Sequence, residues 1–187
     1  MFKFIFLSVN FQNYHFFTLY ITYIHASSRT KLDSISRSQN GVYFVMIMNM
    51  KILFVCHGNV ARSQIAEAIY NKLTNSNDAE SAGTHVDKPG ETLGQRKKRI
   101  GASLVVDVMN DVNMSINNKK RTQLTRDMLE NFDKVINMSP KRYAPTWLAK
   151  SPKYSYWKIR DPMSRGYTTT DNTRKTIEKK VKELLVK

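Results

Sequence analysis

Cysteine is almost absent from this chain: Cys56 is the single thiol in 187 residues. One thiol excludes an internal disulfide and fits a reducing compartment. It is also a poor start for a metal site, so Cys56 is either filler or chemistry. Acidic residues are scarce too, with 15 Asp and Glu against 30 Lys and Arg, a net charge of +15. That excess points to anionic partners (phosphorylated substrates, nucleic acid or a membrane surface) and selects none of them. No uninterrupted apolar run approaches the roughly 18 residues of a membrane span. Internal repeats and low-complexity linkers are missing, and so is any recognition-helix, stacking-platform or metal-finger pattern for nucleic acid. What is present, 41% hydrophobic residues over 187 positions, suffices for one well-packed domain and is short for two.

The first 49 residues differ from the rest. They open "MFKFIFLSVNFQNYHFFTLY", rich in Phe and Tyr but broken by Asn10, Gln12, Asn13 and His15. As a signal peptide the stretch is poor, because Lys3 is the only early charge and "FIFL" is too short an apolar core. Residues 1–49 are therefore expected to lie outside the fold, translated upstream of a start at Met50, Met48 or Met46. A membrane or secretion signal and an accessory segment are the alternatives. The expected domain is residues 50–187, and its expected location is cytoplasmic. It stays strongly basic without the extension, which carries Lys3, Arg29, Lys31 and Arg37 against Asp33.

From Met50 the pattern alternates strand and helix. "KILFV" (51–55) is a short continuous apolar run, as in a buried parallel strand. Residues 62–74 place Ile65, Ala66, Ile69 and Leu73 on one helical face. "AESAGT" (79–84) reads as a second strand with a glycine exit. A helix from about Thr92 to Met109 would group Leu93, Ile100, Leu104 and Val108. "FDKVINM" (132–138) and "YSYWKI" (154–159) supply the third and fourth strands. A last helix from about Thr170 carries Ile177, Val181, Leu184 and Leu185 as one stripe. The alternation predicts an α/β sheet with helices on both faces.

Ligands of such sheets bind beyond the carboxyl ends of the strands, where helix N-termini converge. Cys56 stands there, followed by "HGNVA" and then Arg62 at the head of a helix. A phosphate dianion needs several inward donors, and a loop wrapped onto a helix start offers backbone N–H groups and a positive dipole end. Gly58 is expected to permit close approach and unusual dihedrals, and Asn59 tolerates the left-handed region. Arg62 presents a planar fork that fits two phosphate oxygens. The same field favours a thiolate at Cys56, and Ser63 can donate a hydrogen bond to it. An isolated Cys-x5-Arg is more often a buried small hydrophobe and a surface arginine. Strand, Gly-Asn, Ser63 and helix together weigh against that reading here.

"VCHGNVARSQIAEA" resembles the phosphate-binding loop of the low-molecular-weight protein tyrosine phosphatases and their arsenate reductase relatives. "SAGT" (81–84) resembles the second-strand signature of that superfamily. The resemblance runs from about Met50 to the C-terminus. It implies a four-stranded parallel sheet flanked by helices, with the phosphate loop between first strand and first helix. "WKIRDPMSRG" then supplies Asp161-Pro162, similar in position and chain order to the family's Asp-Pro acid. The implied roles are Cys56 as nucleophile, Asp161 as acid and then base, and Arg62 with the loop amides of His57, Gly58, Asn59, Val60, Ala61 and Ser63 as the phosphate cradle. No metal or cofactor is implied. The implied partner is a phosphorylated protein or small phosphomonoester, with neither nucleic acid nor membrane.

Some members carry a second cysteine immediately before the arginine, where this chain has Ala61. Ser139 stands where a relay cysteine of the reductases would be expected, and Met163-Ser164 replace the tandem tyrosines that follow Asp-Pro in some phosphatases. An internal thiol relay is impossible with one thiol. Arsenate reduction by an external thiol and a non-catalytic phosphate-binding module remain the competing readings. His57 lines the pocket rim in the family, or is a bystander on the loop. The basic run "QRKKR" (95–99) reads as a solvated face, Trp157 as packing for the fourth strand, and Glu178 with Lys182 as a surface pair.

Overall fold

The computed structural model describes residues 50–101 and 103–186. The expectations for residues 1–49 lie outside the described residues. Strand β1 (Ile52–Cys56) leads into helix α1 (Arg62–Thr74), strand β2 (Ala79–Gly83) and helices α2 (Leu93–Ile100) and α3 (Leu104–Asp111). Strand β3 (Lys134–Asn137), a one-turn helix α4 (Thr146–Ala149), strand β4 (Tyr154–Tyr156) and the long helix α5 (Gly166–Leu185) complete the domain, with 3-10 turns at Asp127–Asn131 and Lys141–Tyr143. The sheet order is β2-β1-β3-β4, every pairing parallel. The expected four-stranded parallel sheet is the one observed.

All five residues of β1 are buried, which explains why its sequence is a continuous apolar run rather than an alternating one. Successive side chains take opposite faces. Ile52 and Phe54 join Ile65, Ile69, Tyr70, Val106, Met109, Ile177 and Val181 on the face covered by α1, α3 and α5. Leu53 and Val55 join Leu124, Phe132, Val135 and Leu148 on the other, covered by the Asp127 turn and α4. Phe54 meets Tyr70 edge-on at 6.2 Å and Trp157 at 5.8 Å, so Trp157 packs as expected. No helix among the described residues is long and apolar enough to cross a membrane.

Three expectations need correction. The helix expected from Thr92 to Met109 is two helices, because Gly101 adopts φ 79° and caps α2 in the left-handed conformation. The break turns Ile100 and Leu104 out to 46% and 37% exposure, while Leu93 and Val108 stay in the core. Helix α5 starts at Gly166, a turn earlier than expected. Leu73 and Leu185, assigned to buried stripes, are exposed, since each lies in the last turn of its helix, past the sheet.

Phe54 sits between Tyr70 of α1 and Trp157, just past β4, with no exposed surface. Phe54→Ala should cost about 3–5 kcal/mol in urea unfolding, a large share of a typical domain's stability. A loss below about 1 kcal/mol would show that this face of the sheet is not the core.

Candidate active site

The chain leaves β1 at Cys56, runs through residues 57–61, and enters α1 at Arg62. Three consecutive carbonyls on this path are tied outward. Cys56 O accepts from Thr84 N at 2.9 Å, His57 O from His85 N at 2.9 Å, and Gly58 O from Arg121 Nη2 and Nε at 2.9 and 3.2 Å. Turning the carbonyls out turns the amides in. Among the described residues, no amide of residues 57–63 donates to a protein acceptor, and no side chain caps α1 at Ala61. Unpaired N–H groups converging on a helix start form a ready anion cradle. Cys56 lies at its floor, 2% exposed, with Sγ 3.0 Å from Ser63 Oγ.

Asn59 makes the bend. It is fully buried at φ 49°, the left-handed region that Asn tolerates better than most residues. Its Nδ2 donates to Ser63 Oγ and Ser81 Oγ, both at 2.9 Å, and its Oδ1 accepts from Thr122 N at 2.7 Å and Gln64 Nε2 at 3.1 Å. The unusual dihedral expected at Gly58 therefore belongs to Asn59, and a Cβ on Gly58 would meet only ordinary contacts from 3.7 Å outward. The glycine that sterics require is Gly83, where a Cβ would lie 2.7 Å from His57 O and 2.8 Å from Asn59 N. The close approach of β2 to the loop, not the loop itself, demands glycine.

Arg62 and Asp161, 99 residues apart, meet as an ion pair. Arg62 is 4% exposed and its Nη1 donates to Met138 O at 2.5 Å, which aims the guanidinium at the loop from β3. Asp161 is half-exposed, its Oδ1 accepts from Met163 N at 3.1 Å, and Pro162 is buried beside it. Cys56, Arg62 and Asp161 line one cavity of about 590 Å³ together with His57, Gly58, Val60 and Ala61. A second cavity of about 640 Å³, lined by Arg126, Leu129, Trp147 and Lys150 among others, contains neither thiol nor histidine. The chemistry, not the volume, picks the site.

His57 stacks on His85 at 5.6 Å and meets Tyr143 at 4.6 Å with the rings tilted by 33°, with Nδ1 3.3 Å from Thr84 Oγ1. Burial, reinforced by His85 and Arg62 and opposed by Asp161, holds its pKa below the usual 6.5. At neutral pH it is a flat, uncharged face on the rim.

The motif reading missed Arg121. Only 3% exposed, it ties Gly58 O to a lattice of carboxylates: Asp87, Glu91 (Nη1–Oε2 3.0 Å) and, through them, Arg99 (Nε–Glu91 Oε1 2.6 Å). "KKRT" (119–122) reads as a charged surface, and nothing in it marks the one cation that turns inward across 63 positions. Hydrogen bonding from Arg99 first, then Arg121, holds the Glu91 carboxyl down to about 2.

Two outcomes follow from this geometry. Gly83→Ala drives a methyl into the loop backbone and should cut catalytic turnover by about 100-fold or more with the sheet intact by circular dichroism; unchanged turnover would refute the close approach. The unfolded chain takes up a proton at Glu91 near its ordinary pKa of 4.5, whereas the folded chain waits until about 2. The stabilisation is thus complete above about pH 4.5 and is lost as pH falls toward 2. Glu91→Gln should remove that acid-side slope, and an unchanged slope between pH 4.5 and 2 would count against the lattice.

Residues 51–187 match the family model described as low molecular weight phosphotyrosine protein phosphatase. No curated protein matches the chain. Among solved structures, Wzb of Vibrio vulnificus in complex with benzylphosphonate is similar at 21% identity and TM-score 0.60, over 73% of this chain and 97% of that one. The tyrosine phosphatase Wzb from Escherichia coli K30 in complex with sulphate is similar at 20% identity and TM-score 0.59, over 73% and 97%. The YwlE arginine phosphatase from Geobacillus stearothermophilus is similar at 18% identity and TM-score 0.59, over 73% and 91%. At these identities the likeness is one of fold.

Proposed function

The chain belongs to the low molecular weight phosphotyrosine protein phosphatase family of phosphoric monoester hydrolases, and from that premise we propose that Cys56 is the nucleophile of a protein phosphotyrosine phosphatase. One observation carries this reading: Cys56 Sγ, held by Ser63 Oγ, shares a cavity with an arginine and a carboxylate already in contact with each other. A thiol, a phosphate clamp and a proton donor are the three parts that phosphomonoester hydrolysis needs.

In the first step the Cys56 thiolate attacks phosphorus in line. The S–P bond forms as the bond to the tyrosine oxygen breaks, and protonated Asp161 gives its proton to that oxygen. In the second step Asp161, now a carboxylate, takes a proton from water. The water oxygen bonds to phosphorus, the S–P bond breaks, and inorganic phosphate leaves with the thiolate restored. Arg62 and the amides of residues 57–63 hold the equatorial oxygens throughout. Phosphate oxygens compete with Asp161 for Arg62, so binding of the dianion frees the carboxyl for proton transfer. Ser63 Oγ–H steadies the thiolate as attacker and as leaving group.

The rim favours an aryl ester. Val60, Ala61 and Pro162 give apolar walls, and the His57 ring adds an aromatic side chain to the lining. A phosphorylated guanidinium would ask for a carboxylate beyond the one that serves the leaving group, and the cavity's other carboxylate, Asp87, is paired with Arg121. The substrate is a phosphorylated protein, the site uses no metal or cofactor, and the enzyme works in the cytoplasm.

The test is hydrolysis of an aryl phosphate and of a phosphotyrosine peptide. Cys56→Ser should abolish turnover, by about 1,000-fold at least, and Asp161→Asn should slow it about 100- to 10,000-fold. Acid-quenched enzyme should carry phosphate on Cys56. Arsenate-dependent thiol oxidation without hydrolysis would replace this reading by reduction through an external thiol. Preference for a phosphoarginine peptide would overturn the substrate, and phosphopeptide binding without turnover would leave only a binding module.

A further inference from the structure

The catalytic cavity extends well beyond the phosphate cradle. Arg96 and Ile100 of α2, with Ser103 and Leu104 at the start of α3, line the same space as Cys56 and Arg62. Of the basic run 95–99, Lys97 pairs with Asp107 and Arg99 with Glu91 and Asp87. Lys98 is exposed. Arg96 differs from all three. Among the described residues it makes no ion pair or hydrogen bond, and its Nε is buried without a partner. Ser103, 6% exposed in the same lining, likewise has a buried Oγ with no partner. A buried donor without an acceptor costs free energy that an incoming acceptor recovers.

Charge agrees with geometry. The nearby carboxylates Asp87 and Glu91 are already bonded to Arg121 and Arg99, so the cluster holds three guanidinium groups against two carboxylates, with Arg96 the surplus. Burial and the neighbouring Arg121 and Arg99 push its pKa down, against Asp87 and Glu91. An added anion relieves that repulsion. The mouth between the two ends is apolar, with Ile100, Leu104 and Met163 exposed at 46%, 37% and 74%.

Resting on the phosphotyrosine reading above, we propose that Arg96 and Ser103 form a second oxyanion subsite that takes an acidic group flanking the phosphorylated residue of the substrate. The group is a carboxylate or a second phosphoryl, whose oxygens present the same acceptors to a guanidinium and a hydroxyl. The enzyme then reads two anions joined by an apolar span, and selects acidic phosphotyrosine segments over neutral ones.

The experiment compares kcat/KM on three phosphotyrosine peptides of one sequence: flanked by Glu, by Gln, or by phosphoserine at the same positions. An aryl phosphate serves as the common reference. Wild type should favour the Glu peptide over the Gln peptide about five- to tenfold, as a partly buried ion pair allows. Arg96→Gln should bring that ratio close to one, Arg96→Lys should retain part of it, and Ser103→Ala should lower it. Lys98→Gln, the same charge change on the exposed face of α2, should leave it in place. A greater gain with phosphoserine than with Glu assigns the subsite to phosphoryl, and the reverse assigns it to carboxylate. Equal rates on Glu and Gln peptides, or an equal loss from Lys98→Gln and Arg96→Gln, would overturn the subsite while the phosphotyrosine reading stands. Hydrolysis of the aryl phosphate with all three peptides refused would overturn the phosphotyrosine reading, and the subsite with it.

Discussion

One buried side chain holds the site in shape. Asn59 fills all four of its hydrogen-bonding positions, two as donor and two as acceptor, with no exposed surface. Its partners come from α1 (Ser63, Gln64), β2 (Ser81) and the segment that follows α3 (Thr122), so the loop is tied to three parts of the domain through a single amide. Aspartate could not donate, and leucine of similar size could do neither. The left-handed backbone at this residue costs of order 1 kcal/mol in isolation, and four satisfied bonds in a dry interior offset that cost. With the bend fixed, the carbonyls of residues 56–58 find donors outside the loop and the amides of 57–63 are left facing in. The cradle is a consequence of where the carbonyls are anchored.

Charge is arranged by the same logic of prior commitment. The chain carries twice as many basic as acidic residues, yet in the domain many of the cations are already engaged. Arg174 bridges Asp171 and Glu178 on α5, Lys182 reaches Glu178 as its sequence spacing suggested, and Lys119 pairs with Glu67. Where the cation is exposed, as at Lys182 and Lys119, such a pair contributes little to stability. Arg121 is a different case, because its buried guanidinium holds both a backbone carbonyl of the loop and the Asp87–Glu91 pair. Neutralising it would leave Gly58 O without its anchor, so this lattice bears on the loop although none of its side chains needs to meet a phosphate.

The sheet, its parallel sense and the loop between β1 and α1 were legible in the sequence because each has a local signature. β1 is an unbroken apolar run, Cys56 and Arg62 sit at a fixed spacing, and "SAGT" follows at the right remove. Asp161 was legible only through Asp-Pro and chain order. What escaped was decided by contacts between distant residues. Gly83 and Gly58 look alike in sequence, and only the approach of β2 to the loop shows which of them needs to be glycine. Arg121 reads as one more surface cation until its bond to Gly58 across 63 positions is seen. The break at Gly101 had a local cue, since a glycine late in an apolar-periodic run can be a helix end as well as a tolerated interior residue. Periodicity alone kept Ile100 and Leu104 in the core, and the left-handed cap moved them to the cavity mouth.

The isolation of the thiol bears on which chemistry this site suits. Cys56 is free and buried, and the residue before Arg62 is Ala61, so no second sulfur stands ready to accept an electron pair from it. The group that does stand next to Sγ is a hydroxyl, Ser63, which can donate a hydrogen bond but cannot exchange into a disulfide. A redox relay needs a chain of thiols, whereas phosphoryl transfer needs one thiolate kept as a thiolate between attack and release. Ala61 and Ser139 put no sulfur at the two places where a relay thiol would be expected, and the Ser63 contact is compatible with the proposed phosphoryl transfer. The same arrangement has a cost: an oxidised Cys56 has no intramolecular thiol to restore it. What the structure does supply is burial: the thiol is 2% exposed, which limits the access of an oxidant.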